Sequence, residues 1–193
     1  MGHRLGVRRT YYGGTHVDKA VAVSKADLAM DRIPWISFKL PYTWAEMAAG
    51  KGDAWTHGLA VKLNALDGPV WLAFHHEPEG DGDIKQWTAM QARLAPIVRS
   101  AGSNVSYSIV LTGWNQLYGQ AQYSLDSLWP KNTKIDLLGI DVYNKYGAVQ
   151  DGVMHIKHTD MEGSYFKPST PGPRRRVWRG VWPRPASPTR PPR

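Results

Sequence analysis

The sequence predicts an α/β fold with a parallel sheet and, within that class, a (β/α)8 TIM barrel that is incomplete, with about five strands visible. Three observations lead there. Short apolar runs alternate with longer stretches of helical periodicity, the pattern of a parallel sheet with crossover helices. The clearest run, residues 70–75, is apolar on both faces, as a strand buried in such a sheet must be. Polar and aromatic residues gather just past the C-terminal end of each run, the rim on which barrel active sites are built. An open doubly wound sheet has the same local alternation; the rim pattern favours the barrel.

Taken in order, residues 5–12 read as a short strand of large side chains, and 18–29 carry Ala, Val and Leu at helical spacing. Residues 33–40 form a second strand, closed by Pro41. A helix over 53–66 stops at Asp67-Gly68-Pro69. The strand at 70–75 runs straight into His76-Glu77-Pro78-Glu79. A long helix over 84–101 places Trp87, Met90, Leu94, Ile97 and Val98 on one face, and Gly102 ends it. Residues 104–111 are the next strand, leading into Thr112-Gly113-Trp114-Asn115. After a loop, 135–141 form a fifth strand ending in Val142-Tyr143-Asn144.

Composition narrows the function. The 193 residues can bury one sizeable core. With no Cys there is no disulfide framework, thiol nucleophile or Cys-based metal site. The formal charge of +8 points at first to nucleic acid. Its distribution argues otherwise: residues 167–193 hold 8 basic groups and no acidic one, which leaves 16 basic against 16 acidic residues in 1–166. A neutral body has no net field to steer a polyanion. No membrane span and no signal peptide are visible.

Glu77 is the centre of the chemical reading. A carboxyl at a partly dehydrated strand end has its pKa raised and holds a proton near neutral pH, ready for a leaving oxygen. The competing reading is a solvated acid at the sheet edge. His75 and His76 are possible metal ligands beside Glu77 and Glu79, but neighbouring residues on a strand end point opposite ways. No metal is therefore expected, and no cofactor is implied. Trp35, Trp114 and Tyr143, read at the ends of three strands, form an aromatic-lined cleft on which sugar rings stack; ordinary core packing is the alternative.

These residues resemble glycoside hydrolase family 26, the family of β-mannanases and some other β-glycanases. The run from Val70 to Glu79, followed by a Trp-containing helix, resembles its fourth barrel strand, in which a His-Glu pair supplies the general acid/base; here the pair is His76-Glu77. Asp141-Val142-Tyr143-Asn144 looks like the end of the sixth strand, whose Tyr would hydrogen-bond the nucleophile. Gly50-Lys51-Gly52-Asp53 looks like the Gly-x-x-Asp segment ahead of strand four. The likeness covers roughly residues 30–147. Gly80-Asp81-Gly82-Asp83 stands where the family has a Trp, which leaves the glycan open, and residues 5–12 then correspond to strand two.

The resemblance implies a retaining hydrolase of β-linked polysaccharide such as mannan. Glu77 would be the acid/base, and His76 would orient it or contact sugar. His75, Trp35, Trp114 and Tyr143 would be substrate-binding residues. A monomer is expected, secreted as family members are, with a polysaccharide or oligosaccharide partner and neither nucleic acid nor membrane. Residues 1–166 would be the partial hydrolase barrel. A retaining enzyme needs a second carboxylate about 5–5.5 Å from the first, which the family places at the end of strand seven. No strand leads into Glu162, the one glutamate after Tyr143, and strands seven and eight are missing, so little hydrolysis is expected. A non-catalytic glycan-binding protein is the alternative. Residues 167–193, with 8 of the 14 prolines, read either as a disordered Pro/Arg-rich tail or as an out-of-frame stretch. Shifted by one base, codons for residues 177–189 can spell a strand ending in Ala-Glu-Thr-Gly.

Overall fold

Five strands form one parallel sheet whose order across the sheet is the order along the chain. The computed structural model describes residues 5–169. The strands are β1 (Val7–Tyr12), β2 (Ile33–Phe38), β3 (Val70–Phe74), β4 (Val105–Leu111) and β5 (Leu137–Ile140). Between them run helices α1 (Val17–Leu28), α2 (Trp44–Ala48), α3 (Asp53–Asn64) and α4 (Ile84–Ser100), and, after β4, the short α5 (Trp114–Tyr118) and α6 (Leu125–Leu128). Each predicted strand and each predicted long helix is present, with ends trimmed by a few residues.

Alternation along the strands separates two faces. Ile36 and Phe38, then Val70, Leu72 and Phe74, then Val105, Tyr107, Ile109 and Leu111 form the core with Leu59, Leu63, Trp87, Met90, Leu94 and Val98 from α3 and α4. The opposite face carries Arg9, Trp35, Trp71, Ser108 and Gly139, and it is strongly curled. In a flat sheet, the edge strands β1 and β5 would lie about 19 Å apart at ~4.8 Å per strand. Yet Arg9 Nη1, on β1, donates to Asp141 Oδ2, just past β5, at 2.6 Å. The Trp35 ring likewise reaches from β2 to β5, where a Cβ on Gly139 would sit 2.5 Å from Trp35 Cη2. Only glycine admits that approach.

Several features were not read from the sequence. Thr43 and Glu46 close a capping box that starts α2. The segment after Trp114, expected as a loop, folds into α5, a 3-10 turn and α6, each too short to show periodicity. Beyond β5, a small hairpin pairs β6 (Val149–Gln150) with β7 (Val153–Met154). Its turn places Asp151 and Gly152 at φ 52° and 77°, as Asp-Gly turns do. A π-helical turn, Glu162–Phe166, then continues into the single turn α7 (Lys167–Ser169). It crosses the expected boundary at 166/167; the rest of the Pro/Arg-rich segment lies outside the described residues.

On the helix side, Asp27 of α1 is fully buried and lies 3.0 Å from both Arg8 Nε and Arg32 Nη2. These are ion pairs whose angles fall outside hydrogen-bond geometry. They clamp α1 to β1 and to the start of β2. Asp27→Asn is expected to destabilise the fold by about 3 kcal/mol, because two cations then face a neutral group. Urea unfolding checks this, and a cost below about 1 kcal/mol would show the clamp to be idle.

Candidate active site

The site begins where β3 leaves the sheet. Gln91 of α4 donates to the Phe74 carbonyl at 2.8 Å, and Trp87 Nε1 donates to the His75 carbonyl at 2.9 Å. Tyr107 of β4 donates its hydroxyl to Gln91 Oε1 at 2.6 Å. Gln91, Tyr107 and Trp87 are buried, so these bonds are shielded from water. They fix a sharp exit in which His75 and Glu77 take φ of 45° and 51°. Left-handed backbone at non-glycine residues is costly and collects at functional sites. The Glu77 amide is then caught by the Val110 carbonyl of β4 at 2.8 Å.

The turn sends its two histidines to different neighbours. His75 Nε2 lies 2.9 Å from Asp81 Oδ2, and its ring meets Trp44 edge-on at 4.7 Å. His76 packs against Tyr11 of β1, with ring centroids 5.1 Å apart. Burial, then Arg9 and His75, hold the His76 pKa below its ordinary value, so the ring is neutral at neutral pH. Its Nδ1 is buried without a partner among the described residues. Lys39, His75, His76, Glu77 and Asp81 together line a cleft of about 190 Å³.

Glu77 is half-buried, and its carboxyl is pushed up to about 7. Burial is the main cause, followed by its hydrogen bond to Asp141 and that residue's charge; Arg9 opposes the rise. Burial also pushes Asp141 upward, but hydrogen bonds from Glu77, Tyr143 and Arg9 outweigh it and hold Asp141 below its usual range. The two carboxyls therefore share one proton, which rests on Glu77. Near neutral pH the site therefore sets a carboxyl that titrates near 7 beside an ionised carboxylate, two acids whose environments push their pKa values apart. No family model matches the chain. No curated protein matches it in sequence.

Glu77, His76 and His75 stand together at this cleft, and Tyr143 reaches it through Asp141, although its own ring is 71% exposed. Trp35 is corrected. It lies mid-strand in β2, not at the strand end, with its indole N–H on Ser108 Oγ at 2.9 Å and its ring edge-on to Trp71. It is a floor of the curled face and not a platform at the rim. Trp114 opens α5 and is 54% exposed. Its turn is tied to the β3 exit by Glu79, which accepts from the Thr112 amide and hydroxyl at 3.2 Å and from Gln116.

Asp141 and Arg9 were missed as site residues. Asp141 carried a signal, its place at a strand end beside Tyr143; Arg9 carried none. Gly80-Asp81-Gly82-Asp83 also gains a structural account: Asp81 holds His75, Asp83 caps α4, and Gly82 lets Trp44 approach. Glu162 is exposed and pairs with Lys167 at 3.2 Å.

A raised carboxyl binds its proton more tightly folded than unfolded. Its stabilisation is complete below the ordinary value of 4.5 and is lost as pH rises through about 7. Glu77→Gln abolishes that loss. The variant is expected to gain stability relative to the parent as pH rises from about 4.5 to about 8, with most of the gain made by about 7. Urea midpoints across this range check it; a pH-independent difference would contradict it.

Proposed function

We propose that this chain carries the acid/base half of a retaining glycoside hydrolase site on a (β/α)8-type barrel, acting on a β-linked polysaccharide such as mannan. The observation that carries the reading is the place of Glu77, a half-buried carboxyl raised to about 7 at the C-terminal end of a parallel strand and inside a cleft. The barrel is supported by a strand order that follows the chain without the reversal of doubly wound sheets, and by the curl that brings Arg9 to Asp141. The strand-end likeness to glycoside hydrolase family 26 at His76-Glu77 and Asp141-Val142-Tyr143 points the same way. Glu77 would protonate the leaving oxygen, with Asp141 keeping the proton on Glu77 until substrate displaces the contact. His76, neutral, would orient sugar hydroxyls. Trp114, Tyr11 and Tyr143 are exposed around the rim and offer faces for sugar rings.

The nucleophile's place is not filled among the described residues. Asp141 is engaged by Arg9 at 2.6 Å and acts on Glu77 as its proton-sharing neighbour, not as the separate second carboxylate that double displacement uses, and Glu162 is turned to Lys167. For this chain on its own, that observation favours the second reading, glycan binding without turnover.

Calorimetry with β-1,4-mannohexaose, run beside a reducing-end assay, tests both readings. Turnover abolished by Glu77→Gln supports the hydrolase. Binding without turnover, changed by less than about twofold in Glu77→Gln (under ~0.5 kcal/mol), supports the binding protein. Absence of both binding and turnover overturns the proposal.

A further inference from the structure

The basic side chains around Glu77 differ in one respect. Arg9 is matched by Asp141 at 2.6 Å, and the His75 ring by Asp81 at 2.9 Å. Lys39 lines the same cleft, and among the described residues no carboxylate lies within ion-pairing distance of it. Its backbone is not free to drift. It directly follows β2, and its amide donates to the Tyr12 carbonyl at 2.8 Å, with Pro41 two residues on. The sheet therefore fixes the backbone of an exposed lysine at the cleft that contains the acid, and its ammonium has no carboxylate partner among the described residues.

A second group there also lacks a partner. His76 lines the cleft, and its Nδ1 is buried with no hydrogen bond. A buried nitrogen left unpaired is costly and is ordinarily met by ligand or water. Lys39 is a donor with a full charge, and His76 offers a ring N–H in one tautomer. A neutral sugar hydroxyl satisfies such donors weakly, whereas a carboxylate supplies two anionic acceptor oxygens and forms stronger, charge-assisted bonds. A carboxylate bound there would also favour the protonated form of Glu77, since a nearby negative charge opposes its ionisation.

Resting on the glycoside reading above, we infer that the cleft takes an acidic glycan, a β-linked chain carrying a uronate whose carboxylate sits on Lys39 and His76. Lys39 is then the specificity-determining residue that separates a uronate from the matching neutral sugar, and the substrate class is a uronic-acid-containing polysaccharide in place of plain mannan.

The test compares two probes of the same linkage and ring configuration, β-1,4-mannuronate hexamer and β-1,4-mannohexaose, by calorimetry on the full chain at about pH 7 and low salt. The mannuronate is expected to bind about tenfold tighter, the scale of one charge-assisted hydrogen bond. Raising the salt from about 20 to about 200 mM should shrink that margin while leaving mannohexaose little changed. Lys39→Met should bring the two probes to equal affinity, and Lys39→Arg should keep the preference. Equal binding of both probes to the parent chain, or a uronate preference that survives Lys39→Met, overturns this inference and leaves the glycan reading standing. If neither probe binds, both fall together.

Discussion

The ion pair between Arg9 and Asp141 joins what a flat sheet would hold far apart. Arg9 stands on the first strand and Asp141 just beyond the fifth, and their side-chain contact at 2.6 Å requires the sheet to curl toward its concave side. Glycine at position 139 permits the same curl by letting the Trp35 ring lie against the fifth strand. The ion pair also has a chemical consequence. An Asp141 held by hydrogen bonds from Glu77 and Tyr143 and by the charge of Arg9 stays ionised in a half-buried place and so helps keep the proton on Glu77.

A second support comes from the helix side. Trp87 and Gln91 spend their side-chain donors on the carbonyls of His75 and Phe74, where strand β3 stops pairing. Without those bonds the carbonyls would be unpaired, and the left-handed residues that aim Glu77 into the cleft would relax. The core is thus built to hold a strained turn. Its most buried polar network, Tyr107 to Gln91 to Phe74, ends three residues before the acid.

The sequence was legible where physics is local. Strands apolar on both faces and helices with a clear stripe, such as Trp87 to Val98, declared themselves. The Thr43–Glu46 box and the Asp151-Gly152 turn were equally local signals that went unread. The carboxyl of Glu77 was legible because a strand end bearing His-His-Glu is unusual in itself. The partnership with Asp141 and Arg9 was not, because it depends on curvature that no single segment encodes. Trp35 was misplaced for the same reason: a tryptophan in an apolar run looks alike at mid-strand and at a strand end until its neighbours across the sheet, Ser108 and Gly139, are known.

The account turns on a Glu77 carboxyl raised by burial first and by Asp141 second, so that it still carries a proton as pH approaches 7. Carbon-13 NMR titration of the Glu77 side-chain carboxyl, in the parent chain and in Asp141→Asn, measures this directly. A midpoint near 7 in the parent, falling toward the ordinary carboxylate range in Asp141→Asn, is the predicted result. A parent midpoint at the ordinary value of 4.5 would contradict it and reduce Glu77 to a solvated acid at the sheet edge.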